Sequence, residues 1–352
     1  MQRNHKIDFI KAISIIYVVF IHSIAPIIDK SPIASPDWNI LLIYRTIVSP
    51  AVPLFFMCSG VLLFDENKKI TVESIFKKYL PRILIALFFW SAIYEVQNLY
   101  LLHNQTGVIE KTAIEKAIQN LIFFRHNHQM YYLHIMILYY LLTPIAKVFL
   151  DHAKISEIKL FLVIWAIFGI CLPTFSRITF LKEYAGFTKY VYMPMGYAAV
   201  GYGILGHYIS QKSKTKSINK ASALLSVLAG FLLALIMTKR LSMEQNQVII
   251  TFWGGMSFSV LLISKGFFEL VYSLDLKLFG LKFFEKISLA SFSIFLTHDI
   301  FLKFAKFYSF NLNNFSMNIL YSLPLFAFIV VLLSYILYLI LKFIPIVNKY
   351  LI

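Results

Sequence analysis

Three ionisable residues, Asp8, Lys11 and His22, lie inside a stretch otherwise apolar enough to cross a bilayer, IDFIKAISIIYVVFIHS at residues 7–23. A charged group within a span costs roughly 2.5–3.5 kcal/mol on insertion scales, so each is a functional candidate. Lys11 and His22 are eleven residues apart, which at about 100° per residue returns them to within about 20° of one helix face. Along the axis they are separated by about 16 Å, half of a hydrocarbon core roughly 30 Å thick. One face therefore carries a cation near one membrane surface and an imidazole, suited to proton transfer near neutrality, toward the other. Asp8 stands one turn before Lys11, at pairing distance. The plainer reading is a snorkelling helix end and an interfacial histidine.

A second histidine has a similar setting. His298 lies in ISLASFSIFLTHDIF, about 17 Å along a span that begins near Glu285 and Lys286. Asp299 follows it but points about 100° away. A third group is basic: Lys77, Lys78 and Arg82 cluster where the chain re-enters the membrane at Pro81. Such a cluster suits a phosphorylated ligand, and equally the anionic headgroups of a membrane.

These groups must be positioned by membrane helices. Hydrophobic residues make up 59% of the 352, aromatic residues 17%, and the mean hydropathy is +0.73. A soluble domain holds nearer 45–50% apolar residues. The expected fold is all-α, a single polytopic domain over residues 1–352. Ten spans are expected, at about 7–28, 41–64, 82–102, 130–150, 158–176, 189–209, 221–238, 247–265, 284–305 and 317–343. The net charge of +16 is scattered over short loops, where topology explains it better than nucleic acid does. Its bias places both termini in the cytoplasm, with Lys11 near the inner surface and His22 near the outer one. The first span is too long and too charged for a cleaved signal peptide.

Other features carry less chemistry. Cys58 and Cys171 both lie in apolar runs and indicate neither a disulfide framework nor a metal cluster. Ser59 has no base placed beside it, and Ser59-Gly60 reads as a point of close backbone approach after the breaks at Pro50 and Pro53. The string Gly201-Tyr-Gly203-Ile-Leu-Gly206 matches a dinucleotide fingerprint only formally, because it stands in an apolar helix and not after a strand. It reads as helix-packing glycine. Ile114, Ile118, Leu121 and Ile122 share one face of a stretch expected to lie on the outer surface. His126 and His128 lack further ligands at zinc spacing, and with His134 they line the outer mouth or sit at the interface.

Taken together, the ordered motifs resemble the acyltransferase family 3 membrane proteins, bacterial O-acyltransferases of extracytoplasmic glycans. Asp8, Lys11 and His22 match the family's Arg-or-Lys, ten residues, His signature of the first span. VPLFFMCSGVLLF (52–64), YYLHIMILYYLLTP (131–144), GYGILG (201–206) and SFSIFLTH (291–298) resemble its second, fourth, sixth and ninth spans. There are departures: the family's cytoplasmic Arg-x-x-Arg falls on Tyr79 and Arg82, with Lys78 as the neighbouring cation, and Ser293 and Phe295 replace Gly and Tyr. A lysine point charge is not an arginine fork.

The resemblance implies transfer of an acyl group, usually acetyl, from cytosolic acetyl-CoA to a hydroxyl of a surface glycan or lipid-linked precursor, in the bacterial cytoplasmic membrane and without a metal. Lys77, Lys78, Arg82 and Lys11 would hold the CoA phosphates. His22 would be the general base, with an acyl-histidine as a variant, and His298 would orient the acceptor or stabilise the oxyanion. Lys11 with Asp8 would either assist or hold the first span in register. Two other classes compete: a transporter or flippase, against which no inverted repeat is visible, and an inactive subunit of a glycan-assembly complex.

Overall fold

The first span forms as one unbroken helix, α1 (His5–Ile28). Its N-cap is Asn4, whose side chain accepts from the main-chain N–H groups of Lys6 and Ile7. The computed structural model describes residues 3–178, 191, 193–275, 281–309 and 318–352. The starts expected for the sixth span, at 189, and the tenth, at 317, lie outside these residues.

Among the described residues all regular structure is helical, and eight segments are long and apolar enough to cross a membrane. The protein is an all-α polytopic membrane protein. After α1 come α2 (Pro36–Val48), α3 (Ala51–Leu63), α4 (Leu80–Thr106), α5 (Lys111–Ile122), α6 (Tyr131–His152), α7 (Ile155–Phe175) and α8 (Met195–Thr215). They are followed by α9 (Lys220–Gln245), α10 (Phe258–Ser273), α11 (Leu281–Phe307), α12 (Ile319–Leu341) and the short α13 (Pro345–Tyr350). The expected second span is split into α2 and α3 at Ser49-Pro50, because Pro50 supplies no N–H to continue the helix.

Two of the ten expected spans fall outside the eight. The sixth appears as α8, beginning after Pro194. The eighth was expected from 247, but residues 247–257 are not helical and α10 starts only at Phe258. Asn246 takes a left-handed conformation that ends α9, and Gly254-Gly255 lie in the turns that follow. At 16 residues α10 is shorter than a full span.

Two helices widen into a π-helical turn, at Ile75–Tyr79 and Ala166–Cys171. Each turn stands just before a proline, Pro81 and Pro173. Proline lacks an N–H and its ring clashes with the carbonyl four residues back, so the preceding turn loosens to i→i+5 bonding.

The chain forms two compact units: Met1–Thr71 with Leu141–Ser291, and Val72–Tyr140 with Phe292–Ile352. In the first unit, glycine sets the helix spacing. A Cβ on Gly60 of α3 would collide with the Gly203 carbonyl of α8, and one on Gly206 with the Met57 main chain. The close approach expected at Ser59-Gly60 and the packing role of Gly201, Gly203 and Gly206 are thus met by one helix pair, with Trp165 filling the space over Gly201. Two buried indoles are satisfied within the same unit. Trp165 Nε1 donates to Ala198 O at 2.8 Å, and Trp253 Nε1 donates to Thr46 Oγ1 at 3.0 Å.

In the second unit, α4 is bonded to the C-terminal half of α11. Tyr94 donates its hydroxyl to Leu296 O at 2.7 Å, and Gln97 Nε2 donates to Ile300 O at 2.9 Å. The stretch expected on the outer surface forms α5, whose inward residue is Ala117. Ile114, Ile118 and Ile122 remain exposed, as the apolar face of an interfacial helix would be.

Candidate active site

In the first unit the N-terminal end of α1 is fastened on several sides. Asp8 accepts from Arg3 Nε at 2.6 Å and from Ser288 Oγ at 2.7 Å. Arg3 also pairs with Glu285 at 2.6 Å. Lys6 Nζ donates to Tyr272 O at 2.6 Å, and the ring of Phe9 meets that of Phe284 at 4.7 Å. Asp8 is claimed by Arg3, which reaches it from the extended segment before the helix, and by α11. Lys11 and His22 are each half-buried on the unbroken α1, so the sixteen-ångström spacing estimated from sequence stands.

In the second unit the basic cluster is built by the π-helical turn and the start of α4. Lys77 pairs with Glu73 at 2.6 Å and is exposed, and Lys78 lies over the ring of Tyr79 at 5.7 Å. Arg82 is held more firmly. Its Nη2 donates to the main-chain oxygen of Ile352 at 2.6 Å, and its guanidinium lies 5.8 Å from the centre of the Phe292 ring. Arg82 nonetheless remains exposed.

His298 is fully buried, and its Nδ1 donates to Ile294 O at 3.0 Å and Phe295 O at 2.8 Å. Carbonyl oxygens only accept, so these bonds fix the Nδ1–H tautomer and put the lone pair of the neutral ring on Nε2. The ring of Phe295 packs against Tyr132 at 5.2 Å.

Just beyond His298 stands a network that sequence reasoning missed. Among the described residues, five pairs of opposite charge four residues apart form direct ion pairs. Asp299 and Lys303 have the same spacing, but Asn127 intervenes. Its Nδ2 donates to Asp299 Oδ2 at 3.3 Å, while Lys303 Nζ donates to Asn127 Oδ1 at 3.0 Å and to Asn98 Oδ1 at 2.8 Å. The i, i+4 spacing of Asp299 and Lys303 was a legible signal; the bridging asparagine, some 170 residues away, was not. Beside it, His126 and His134 stack at 5.2 Å with Nδ1 and Nε2 3.3 Å apart. His134 Nδ1 donates to Met130 O, so the hydrogen between the rings belongs to His126 Nδ1. Burial, and then His134, hold the His126 pKa below its ordinary value. No group of three or more metal-ligating side chains occurs among the described residues.

A helical membrane protein with ionisable residues on its first span and its ninth is the class that fold and site define. The model of the acyltransferase family 3 domain, described as an acyltransferase domain, matches residues 4–339 of the 352. The chain belongs to this family and is a membrane acyltransferase. No curated protein and no solved structure matches it.

Proposed function

We propose that this acyltransferase moves an acyl group, acetyl in the first instance, from cytosolic acyl-CoA to a hydroxyl of a surface glycan or lipid-linked glycan precursor in the bacterial cytoplasmic membrane. The observation that carries this reading is the unbroken first helix, which presents Lys11 and His22 about 16 Å apart on one face of a chain of this family. The positive-inside bias puts the Lys11 end, with Lys77, Lys78 and Arg82, on the side where acyl-CoA is made.

The chemistry follows from the residue types. His22 takes the proton of the acceptor hydroxyl as its oxygen attacks the thioester carbonyl. The C–S bond then breaks, and the CoA thiolate leaves and takes up the proton from the imidazolium. Arg82, Lys77, Lys78 and Lys11 hold the donor phosphates, Arg82 as a fork and the lysines as point charges. The tautomer of His298 gives it a distinct role. With Nδ1–H committed to carbonyls, a neutral ring offers Nε2 as an acceptor, which suits orienting a substrate hydroxyl better than donating to an oxyanion. The contacts of Asp8 give it an anchoring role for α1.

The test is acetyl-CoA turnover by the detergent-solubilised protein with crude envelope glycan, read as free thiol. Turnover in wild type that falls about 10²-fold or more in His22→Ala is expected. Turnover indifferent to His22 would remove its role as base, and a protein that neither binds nor turns over acetyl-CoA would overturn the donor.

A further inference from the structure

Residues 345–352 turn back from the end of α12, and Leu351 and Ile352 are both buried, at 5% and 7% exposure. Two hydrogen bonds fix this segment to α4. Trp90 Nε1 donates to Leu351 O at 2.9 Å, and Arg82 Nη2 donates to Ile352 O at 2.6 Å. The guanidinium is thus restrained from two directions, by the Ile352 oxygen at its edge and by the Phe292 ring 5.8 Å away. Among the described residues Ile352 is its hydrogen-bond acceptor, and the other N–H donors of the fork remain available on an exposed side chain.

A free arginine side chain samples many rotamers, and binding an anion must freeze them; a fork already fixed loses less. Arg82 combines restraint with exposure, which is what a preorganised anion site needs. A purely structural arginine would spend its donors on the protein.

We propose that the segment 345–352, tied down through Trp90, is part of the donor site and positions Arg82 to grip a phosphate of the CoA moiety. Leu351, Ile352 and Trp90 are then positioning residues, acting through Arg82 and not on the reacting atoms. This rests on the reading above that Arg82 holds the donor phosphates. It gives this chain, which has tyrosine where its family resemblance places a first arginine, a way of strengthening the arginine it keeps.

The experiment measures binding of free CoA, and of pantetheine as a probe without phosphates, to full-length wild type, Trp90→Phe, Arg82→Ala and the double variant. Trp90→Phe removes the indole N–H and frees the segment; Leu351→Asp, which puts a carboxylate at a buried position, frees it independently if Trp90→Phe does not fold. Arg82→Ala should weaken CoA binding about 10- to 100-fold, as loss of charge-assisted hydrogen bonds does. Trp90→Phe or Leu351→Asp should weaken it roughly 3- to 10-fold. Both should leave pantetheine binding unchanged and add nothing once Arg82 is gone. A weakened Arg82→Ala beside an unaltered Trp90→Phe and Leu351→Asp would overturn the positioning role alone. So would losses that reach pantetheine equally, or that add to Arg82→Ala. Unchanged CoA affinity in Arg82→Ala would overturn the donor-phosphate reading together with this inference.

Discussion

Asp8 near the start of α1 accepts a hydrogen bond of 2.7 Å from Ser288 near the start of α11, 280 positions further along the chain. With Arg3 on its other oxygen, the carboxylate ties the helix that carries Lys11 and His22 to the N-terminal part of α11. Asp8→Asn removes the ion pair and keeps the capacity to bond Ser288. It should lower stability by about 1 kcal/mol, a small cost because Arg3 is about one-third exposed. Asp8→Ala, which leaves Ser288 without this acceptor as well, should cost more. Thermal melts in detergent check the order, and a cost for Asp8→Asn that persists in an Arg3→Ala background would place it elsewhere.

Helix spacing in the first unit makes a sharper forecast. Gly60→Ala drives a Cβ into the Gly203 carbonyl, a backbone atom with no rotamer to yield, so α3 and α8 must part. Loss of folded protein, or destabilisation of several kcal/mol, is expected. Gly254→Ala is the control, since its nearest neighbour would be Ile250 O at 3.9 Å. Equal yields and melting temperatures for the two variants would contradict the packing argument.

The asparagine bridge predicts non-additivity. Lys303→Met leaves the Asp299 charge facing an amide and a methyl group, and should be more damaging than Lys303→Met combined with Asp299→Asn. About 1–3 kcal/mol of coupling is the scale for residues sharing one network. Unfolding of the four variants in a cycle measures it; simple addition would show that the network carries no joint energy.

The paired imidazoles set a pH dependence. His126 has its pKa lowered in the folded protein, by burial first and His134 second, so the fold favours the neutral ring. The resulting stability is fully present above the unfolded value near 6.5 and is lost as pH falls through the lower folded value. Melting temperature should therefore drop below about pH 6 in wild type and less so in His126→Phe. Parallel profiles for the two proteins between pH 5 and 8 would assign the effect to other groups.

The sequence by itself determined the membrane class, eight of the ten expected spans, and the helix faces on which ionisable residues and glycines stand. Each of these depends on local periodicity: apolar runs of about twenty residues, the eleven-residue return of Lys11 and His22, and the glycines at helical spacing. It also located the break at Pro50, since a missing N–H is a property of one residue. The tertiary structure alone decided which groups bond. Asp8 met Arg3 and Ser288, because a carboxylate takes whichever donors the fold brings within 3 Å. Asn127 entered between Asp299 and Lys303, and the Ile352 oxygen reached Arg82 across 270 positions. The late start of α10 likewise follows from the non-helical residues 247–257, where an apolar composition shared by helix and turn conceals the difference. Periodicity fixes a face and a depth, whereas a hydrogen bond depends on distances that only packed helices define.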